Sequence, residues 1–173
     1  MFEISLLDLS VPLPTRGGGR LDVALRGAAD ACAALAAERG VTVALAPAPA
    51  EAVALDGDRL MLVAINLIDN AIKHGRRGGR AAVAARVDSP RTLTIEVDDD
   101  GPGIAPAERE RVFALGERGA TAAHGSGIGL ALVRLLLERA GGRVEIGDGP
   151  LGGARFAVTL PRAAWPGEGR RGR

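Results

Sequence analysis

The feature that most constrains the fold is an alternation of apolar helical stripes with pairs of short apolar strands. Apolar side chains recur at helical spacing over residues 21–36, and Gly40 follows as a C-terminal cap. A second stripe follows Asp58, which we expect to cap the N-terminus of that helix, and Gly75 ends it. A third and strongly apolar helix is predicted over residues 130–140.

The intervals between these helices contain runs that favour β-strands, most of them in pairs separated by a turn. The predicted strands are residues 41–45, 52–55, 81–87, 92–98, 143–146 and 155–160. Hairpin-connected strands interleaved with amphipathic helices bury their apolar faces best in two packed layers. We therefore predict an α+β fold, a two-layer α/β sandwich whose mixed, mainly antiparallel sheet carries about three helices on one face.

One domain accounts for most of the chain. The 173 residues suit a single domain with a substantial core, which we expect to span residues 21–161. Residues 1–20 are interpreted as the remnant of a linker, and residues 162–173 as a disordered basic tail. We expect the isolated domain to be a monomer.

The composition argues against several classes of protein. A formal net charge of +1 gives no overall bias toward nucleic acid or an acidic membrane surface. The one cysteine, Cys32, excludes an internal disulfide framework and fits a reducing compartment. No apolar run reaches the roughly 18 residues of a membrane span, and the N-terminus lacks the pattern of a signal peptide. We therefore expect a cytoplasmic domain that contacts neither nucleic acid nor membrane.

The second predicted helix contains the first segment suited to chemistry, NLIDNAIKHG. Asn66, Asn70 and Lys73 fall at positions i, i+4 and i+7 and share one face, beside the apolar stripe. Two amides and an ammonium offer oxygen ligands for a hard cation and a positive charge for phosphates. Asn is a poor helix former, so two on one face need a reason, although a partly exposed polar face is the simpler alternative.

Two glycine-rich segments follow at the ends of predicted elements. Asp99 ends a strand and precedes Gly101 and Gly103, so a carboxylate can accept from an exocyclic amine while the backbone approaches a planar ligand closely. Residues 125–129, GSGIG, open the third helix, where backbone N–H groups suit phosphate oxygens. An acidic turn and a flexible loop are the respective alternatives. The second segment is not a Rossmann fingerprint, because no crossover unit with an acidic ribose contact follows in the required order, and it is not a P-loop, because no Gly-Lys-Ser/Thr follows.

In this order, the three segments resemble the nucleotide-binding module shared by histidine kinases, gyrase, the ninety-kilodalton heat-shock chaperones and mismatch-repair ATPases. Residues 66–74 resemble its N-box, residues 99–103 its first glycine box and residues 125–129 its second. The ending GGARFAVTLP, residues 152–161, is similar to the closing strands of bacterial sensor histidine kinases in particular. The resemblance covers about residues 21–161 and implies a Bergerat-type ATP-binding fold.

The resemblance implies a role for each matching residue of the N-box and first glycine box. Asn70 would ligate Mg²⁺, with Asn66 close to it. Lys73 would contact phosphate oxygens, and His74 would lie near the ribose or base. Asp99 would bind the adenine amine of ATP.

The glycine boxes and the lid between them complete the implied site. Gly101 and Gly103 would make room for the adenine ring. Arg118, in the lid, would reach the terminal phosphate, which makes it a catalytic candidate together with Asn66 and Lys73. The residues that would close over the phosphates are Gly125, Ser126, Gly127, Ile128, Gly129 and Leu130. His124 is interpreted as a polar residue of the lid.

Asn66 separates phosphoryl transfer from hydrolysis within the family. Hydrolytic members resemble one another in placing Glu here, where it activates water as a general base, and an amide cannot take a proton. The resemblance thus implies transfer to the histidine of a dimerisation domain, with a response regulator acting downstream. The only histidines here, His74 and His124, do not lie in the helical dimerisation domain that carries the acceptor in this family. A separate domain of a parent protein would therefore supply the acceptor histidine, and the resemblance allows that parent to be anchored in the inner membrane.

Two alternatives remain open from the sequence. One is a serine kinase that controls a sigma factor, and the other is a non-catalytic nucleotide-binding module that regulates a partner. The chain also departs from the histidine kinase pattern: Gly116 stands where a second Phe is usual, and the lid is short.

Overall fold

The computed structural model describes residues 18–114 and 128–163, which contain three α-helices and seven strands. The strands are β1 (Gly19–Arg20), β2 (Thr42–Leu45), β3 (Ala52–Val53), β4 (Arg80–Val87), β5 (Thr92–Asp99), β6 (Arg143–Asp148) and β7 (Ala154–Pro161). The helices are α1 (Leu21–Arg39), α2 (Gly57–His74) and α3 (Gly129–Arg139). Within these described parts of the chain, no helix is long and apolar enough to cross a membrane.

Five of the strands form one sheet in the order β2-β4-β5-β7-β6. β2 pairs with β4 in parallel, and the other three pairings are antiparallel. β1 and β3 form a separate antiparallel pair. The prediction of a mixed, mainly antiparallel sheet with two hairpins is confirmed.

Burial alternates along the sheet because helices cover only one of its faces. In β7, Phe156, Val158 and Leu160 are fully buried, whereas the residues between them are partly exposed. α2 contributes the matching apolar stripe, whose fully buried large side chains are Leu60, Val63, Leu67, Ile68 and Ile72. Burial of each such side chain stabilises the fold by about 1.5–3 kcal/mol. The core therefore fixes α2 against the middle of the sheet.

The cap of α2 differs from the predicted one. Asp56, not Asp58, accepts a hydrogen bond from the backbone N–H of Arg59 at 3.0 Å, and the Arg59 guanidinium also contacts it at 2.6 Å. The helix begins at Gly57, so Arg59 is its third residue, whose N–H a capping side chain ordinarily satisfies. Asp58 is the second residue of the helix. Its negative charge interacts favourably with the helix dipole there, but its side chain does not cap the helix.

The predicted end of α1 is confirmed in detail. Gly40 has a positive φ of 66°, and its N–H donates to the Ala37 carbonyl, while the N–H of Val41 donates to that of Ala36. This left-handed glycine turn satisfies two carbonyls that the helix would leave without partners. After β5 the chain forms two 3₁₀ turns, Pro106–Glu108 and Arg111–Phe113.

The N-terminal and C-terminal ends of the folded unit both pair with β3. Gly19 and Arg20 pair with Val53 and Ala52, and Arg162 bridges to Val53 on the other side. The packing is close: a Cβ on Gly18 would lie 2.6 Å from the Cβ of Ala163. The folded unit thus extends beyond the predicted residues 21–161 to include residues 19–20 and 162–163. Residues 1–17 and 164–173 of those two segments lie outside the described part of the chain.

Candidate functional site

The polar face of α2 meets the start of α3. Asn66 is half-buried, and its amide N–H donates to the Leu62 carbonyl at 2.8 Å, one turn earlier. Its side-chain oxygen lies so close to Gly129 that a Cβ there would overlap it. This contact brings the N-box together with the end of the second glycine box. A larger residue at position 129 would therefore force the Asn66 side chain to move from its present position.

Lys73 and Asn70, the other two residues of this face, differ in whether their side chains have a polar partner. Lys73 forms an ion pair of 2.6 Å with Asp69 at i,i+4 spacing. Asn70 is half-buried, and its side chain has no hydrogen-bond partner among the described residues. Asp69 is a site residue that was not predicted, although its i,i+4 spacing from Lys73 indicates the pair. The site thus contains a paired ammonium and an amide available for a ligand.

Three consecutive carboxylates at the end of β5 have three different surroundings. Asp98 lies on the sheet face away from the helices and forms two hydrogen bonds with the Arg155 guanidinium, at 2.7 and 2.9 Å. Asp99 lies on the helix side and is 2% exposed. Asp100, beyond the strand, accepts from two backbone N–H groups of the loop after α2. The period-2 alternation of a strand separates the first two carboxylates.

Asp99 has one satisfied oxygen and one without a partner. Its Oδ1 accepts from the backbone N–H of Gly101 at 2.9 Å and of Ala154 at 3.1 Å. Among the described residues, nothing donates to its Oδ2. Burial raises the pKa of Asp99, although both N–H groups and the nearby His74 act to lower it. This carboxylate is therefore rigidly held and retains an acceptor for a donor group of a ligand.

Glycines pack tightly around Asp99 on both sides. A Cβ on Gly101 would overlap the carbonyl oxygen of His74, and one on Gly153 would overlap Oδ1 of Asp99. Gly101 thus lets the end of α2 approach Asp99 closely, and the role that the resemblance implies for it, making room for a ring, stays a prediction. Gly103 has a positive φ of 75°, which a glycine adopts without strain. Sequence reasoning missed Gly153, although it belongs to the closing segment GGARFAVTLP.

His74 completes this end of the site. It is the last residue of α2, and burial lowers its pKa, with the carboxylate of Asp99 acting in the opposite direction. A lowered pKa favours the neutral imidazole at neutral pH. The ring can therefore contact an uncharged part of a ligand without adding a charge there.

The segment between the first glycine box and the lid is fastened to the domain by two arginines. The guanidinium of Arg134, on α3, lies 4.2 Å from the ring centre of Phe113 and forms a 2.8 Å ion pair with Glu110. Arg109 donates to the Ile104 carbonyl at 3.0 Å and to Asp148 at 2.6 Å. The contacts of Arg134 hold the end of this segment, at Glu110 and Phe113, against α3.

Several predicted residues cannot be located. Arg118, His124, Gly125, Ser126 and Gly127 lie outside the described residues. Ile128 is 41% exposed immediately before α3, and Gly129 and Leu130 form its first turn, half-buried. In residues 18–114 and 128–163, no cluster of three or more His, Cys, Asp or Glu side chains could hold a metal. A cation here would thus need amide oxygens together with oxygens of the ligand itself.

Comparison with known proteins identifies relatives of this chain. A family model for histidine kinase-, DNA gyrase B- and HSP90-like ATPases matches residues 55–164. The sensor-type histidine kinase PrrB of Mycobacterium tuberculosis is 40% identical over 120 residues, which are 69% of this chain and 26% of that protein. The sensor protein kinase CarS of Pseudomonas aeruginosa is 40% identical over 61% of this chain and 23% of its own length. The chain thus spans about a quarter of these curated relatives.

Solved structures agree with the sequence relatives. The ATP binding domain of PrrB from Mycobacterium tuberculosis has a TM-score of 0.65 at 32% identity, over 84% of this chain and 96% of that one. Full-length ShkA in complex with AMPPNP has a TM-score of 0.76 at 29% identity, over 90% of this chain and 33% of that one. The residues that match the family model include all of α2 and both hairpins.

Proposed function

Because the chain belongs to the family of histidine kinase-, DNA gyrase B- and HSP90-like ATPases, we propose that it is the ATP-binding catalytic domain of a sensor histidine kinase. In this role it binds Mg-ATP and donates the γ-phosphoryl group to a histidine on a separate dimerisation domain. That histidine then passes the group to a response regulator in two-component signalling. The domain works in the cytoplasm, on a parent protein that other segments can anchor in the inner membrane.

The observation that carries this proposal is the half-satisfied carboxylate of Asp99. Among the described residues no buried side-chain oxygen lacks a partner, so Oδ2 of this nearly buried carboxylate lies where a ligand can donate to it. The exocyclic amine of adenine would supply the donor that Oδ2 lacks. GTP presents a carbonyl at the corresponding position, so the same oxygen would discriminate between the two nucleotides.

The polar face of α2 suits the phosphate end of the nucleotide. Asn66 and Asn70 present amide oxygens at i,i+4 spacing, and Asn70 has no partner among the described residues. These two oxygens, with phosphate oxygens, fit the ligand set that Mg²⁺ prefers. A bound Mg²⁺ would neutralise charge on the phosphate oxygens. Lys73 would exchange its contact with Asp69 for the phosphates.

Phosphoryl transfer here depends on positioning and on charge neutralisation. The transition state is loose and its charge is spread over oxygens, so no group of this chain needs to form a covalent bond. The amide of Asn66 cannot accept a proton, which disfavours activation of water and therefore hydrolysis. An in-line attack needs the reacting atoms about 3–3.5 Å apart and aligned. His74 ends the helix that would hold the nucleotide, so a separate domain presents the attacking imidazole.

The proposal is tested by labelling with γ-³²P-ATP. The full chain is incubated alone, with the dimerisation domain of its parent, and with that domain after its acceptor His is replaced by Gln. We expect no label on the chain alone and acid-labile label only on the domain with its histidine. Acid-stable label would indicate a serine kinase, and rapid phosphate release an ATPase. ATP binding without any labelled protein would indicate a regulatory module.

A further inference from the structure

The loop that follows α2 closes around the carboxylate of Asp100, to which the proposed function assigns no contact with the nucleotide. Oδ1 of Asp100 accepts from the backbone N–H of Arg76 at 2.9 Å, and Oδ2 accepts from that of Arg80 at 2.9 Å. Each oxygen therefore has one backbone donor from opposite ends of the same loop. Asp100 follows Asp99 directly in the chain. A shift of this loop that moves Asp100 would therefore also move Asp99, which holds the adenine amine in the proposed function.

Two glycines shape the loop around this carboxylate. A Cβ on Gly79 would overlap Oδ2 of Asp100 and would lie 2.7 Å from Oδ1. A Cβ on Gly75 would lie 3.2 Å from Oδ1 and 2.7 Å from the carbonyl oxygen of Ala71. Gly79 has no positive φ, so glycine is needed there because of close contacts, both with the carboxylate and with the backbone carbonyl oxygen of Arg76, which lies 2.8 Å from the position of a Cβ.

The same loop is held from its other side by α1. The N–H of Gly78 donates to the Arg39 carbonyl at 3.0 Å, and that of Thr42 donates to the Gly79 carbonyl at 3.0 Å. The Arg39 guanidinium donates to the carbonyl of Lys73 at 2.8 Å, inside the last turn of α2. The end of α2 is thus fixed on one side by α1 and on the other by Asp100.

The electrostatics agree with a carboxylate that stays charged. Burial acts to raise the pKa of Asp100, but the two backbone N–H donors outweigh it and leave the pKa below its usual value. Its neighbour Asp99 shows the opposite direction. The pair therefore contains one carboxylate whose donors come entirely from the protein and one that retains an oxygen for a ligand.

We propose that Asp100 is a positioning residue for the nucleotide, which folds the loop after α2 so that Lys73 and His74 face the same site as Asp99. This inference rests on the proposed ATP-binding function. Without the carboxylate, two backbone N–H groups lose their acceptor and the last turn of α2 is free to move away from the end of β5. Asp100 itself would not touch the nucleotide.

The test uses the full chain and two ways of disturbing one contact. Asp100→Asn retains one acceptor and Asp100→Ala removes both, while Gly79→Ala keeps the charge and displaces the carboxylate. Glu51→Gln is the matched control, because Glu51, directly before β3, also accepts two N–H groups, both from Arg162. Each protein is titrated with Mg-ATP by calorimetry at a temperature where circular dichroism shows it to be folded, and its melting temperature is measured separately.

We expect ATP affinity to fall about tenfold in Asp100→Ala, similarly in Gly79→Ala, and less in Asp100→Asn. Glu51→Gln should melt earlier and bind ATP like the wild type. Unchanged affinity in folded Asp100→Ala and Gly79→Ala would overturn the inference, since the carboxylate would then serve stability alone. A wild-type chain that does not bind ATP would instead overturn the proposed function, and this inference with it.

Discussion

The two ends of α2 satisfy their polar groups to very different extents. At the N-terminal end, Asp56 accepts from both the backbone and the guanidinium of Arg59, and directly before β3 Glu51 is paired with Arg162 at 2.8 Å. At the C-terminal end, Asp99 keeps one oxygen without a donor. The helix is one rigid element, so the difference reflects what each end does. One end fastens the chain, and the other retains unused hydrogen-bonding capacity.

The pKa shifts of two aspartates express this difference. Burial acts to raise the pKa of both. In Asp56 the donors from Arg59 outweigh burial and the pKa is lowered, whereas in Asp99 burial prevails and the pKa is raised. Ionised Asp56 therefore stabilises the fold, and ionised Asp99 destabilises it. This is the expected pattern if binding groups are held ready at a cost in stability.

The largest effect that this comparison predicts is on ATP affinity in Asp99→Asn. The amide would leave the adenine amine without its charged acceptor, at a cost of about 1.5–3 kcal/mol, or roughly ten- to a hundredfold in affinity. Calorimetry with ATP and GTP measures it, with Glu51→Gln as the control. A wild-type chain that binds ATP and GTP equally well would break the comparison, because Oδ2 would then have no selective ligand.

Asn70→Ala should give the next largest effect. Removing the amide oxygen should weaken Mg-ATP binding by about 1.5 kcal/mol and reduce the gain in affinity that Mg²⁺ provides. Titrations of ATP with and without Mg²⁺ measure both quantities. If the affinity and its dependence on Mg²⁺ are both unchanged, Asn70 is not part of the site.

At the other end of the helix, Asp56→Ala should change stability and leave binding alone. Loss of an N-cap costs about 1 kcal/mol, and the ion pair with Arg59 goes with it. Asp58→Ala is the matched control and should change the free energy of unfolding by less than about 0.5 kcal/mol. Urea denaturation of both variants decides the matter. Equal destabilisation would mean that the cap geometry does not control this end.

The smallest expected effect is a change in pH dependence. With its raised pKa, Asp99 contributes stability that is present below its unfolded pKa and lost as the pH rises through the folded pKa. Asp99→Asn has no such loss, so its stability relative to the wild type should increase from about pH 4 toward neutrality. Thermal unfolding between these values measures the trend. A relative stability that falls over this range would contradict the raised pKa.

Contacts near in sequence were predictable, and contacts across the fold were not. The shared face of Asn66, Asn70 and Lys73 follows from helical periodicity, and both hairpins follow from apolar runs around turns. The Asp56 cap was missed because two aspartates lie within one turn and only the first helical residue distinguishes them. The packing of Gly153 on Asp99 depends on the register of β5 against β7, which periodicity alone does not determine.

The pairing of β1 and of Arg162 with the same short β3 has a topological consequence. The N–H of Ala163 donates to the Ala52 carbonyl at 2.9 Å, so the points of entry and exit are neighbours. The path of the chain is almost a closed ring. Such a unit can be inserted into a surface loop of another protein without stretching its host, or circularly permuted with a short bridge from residue 163 to residue 18.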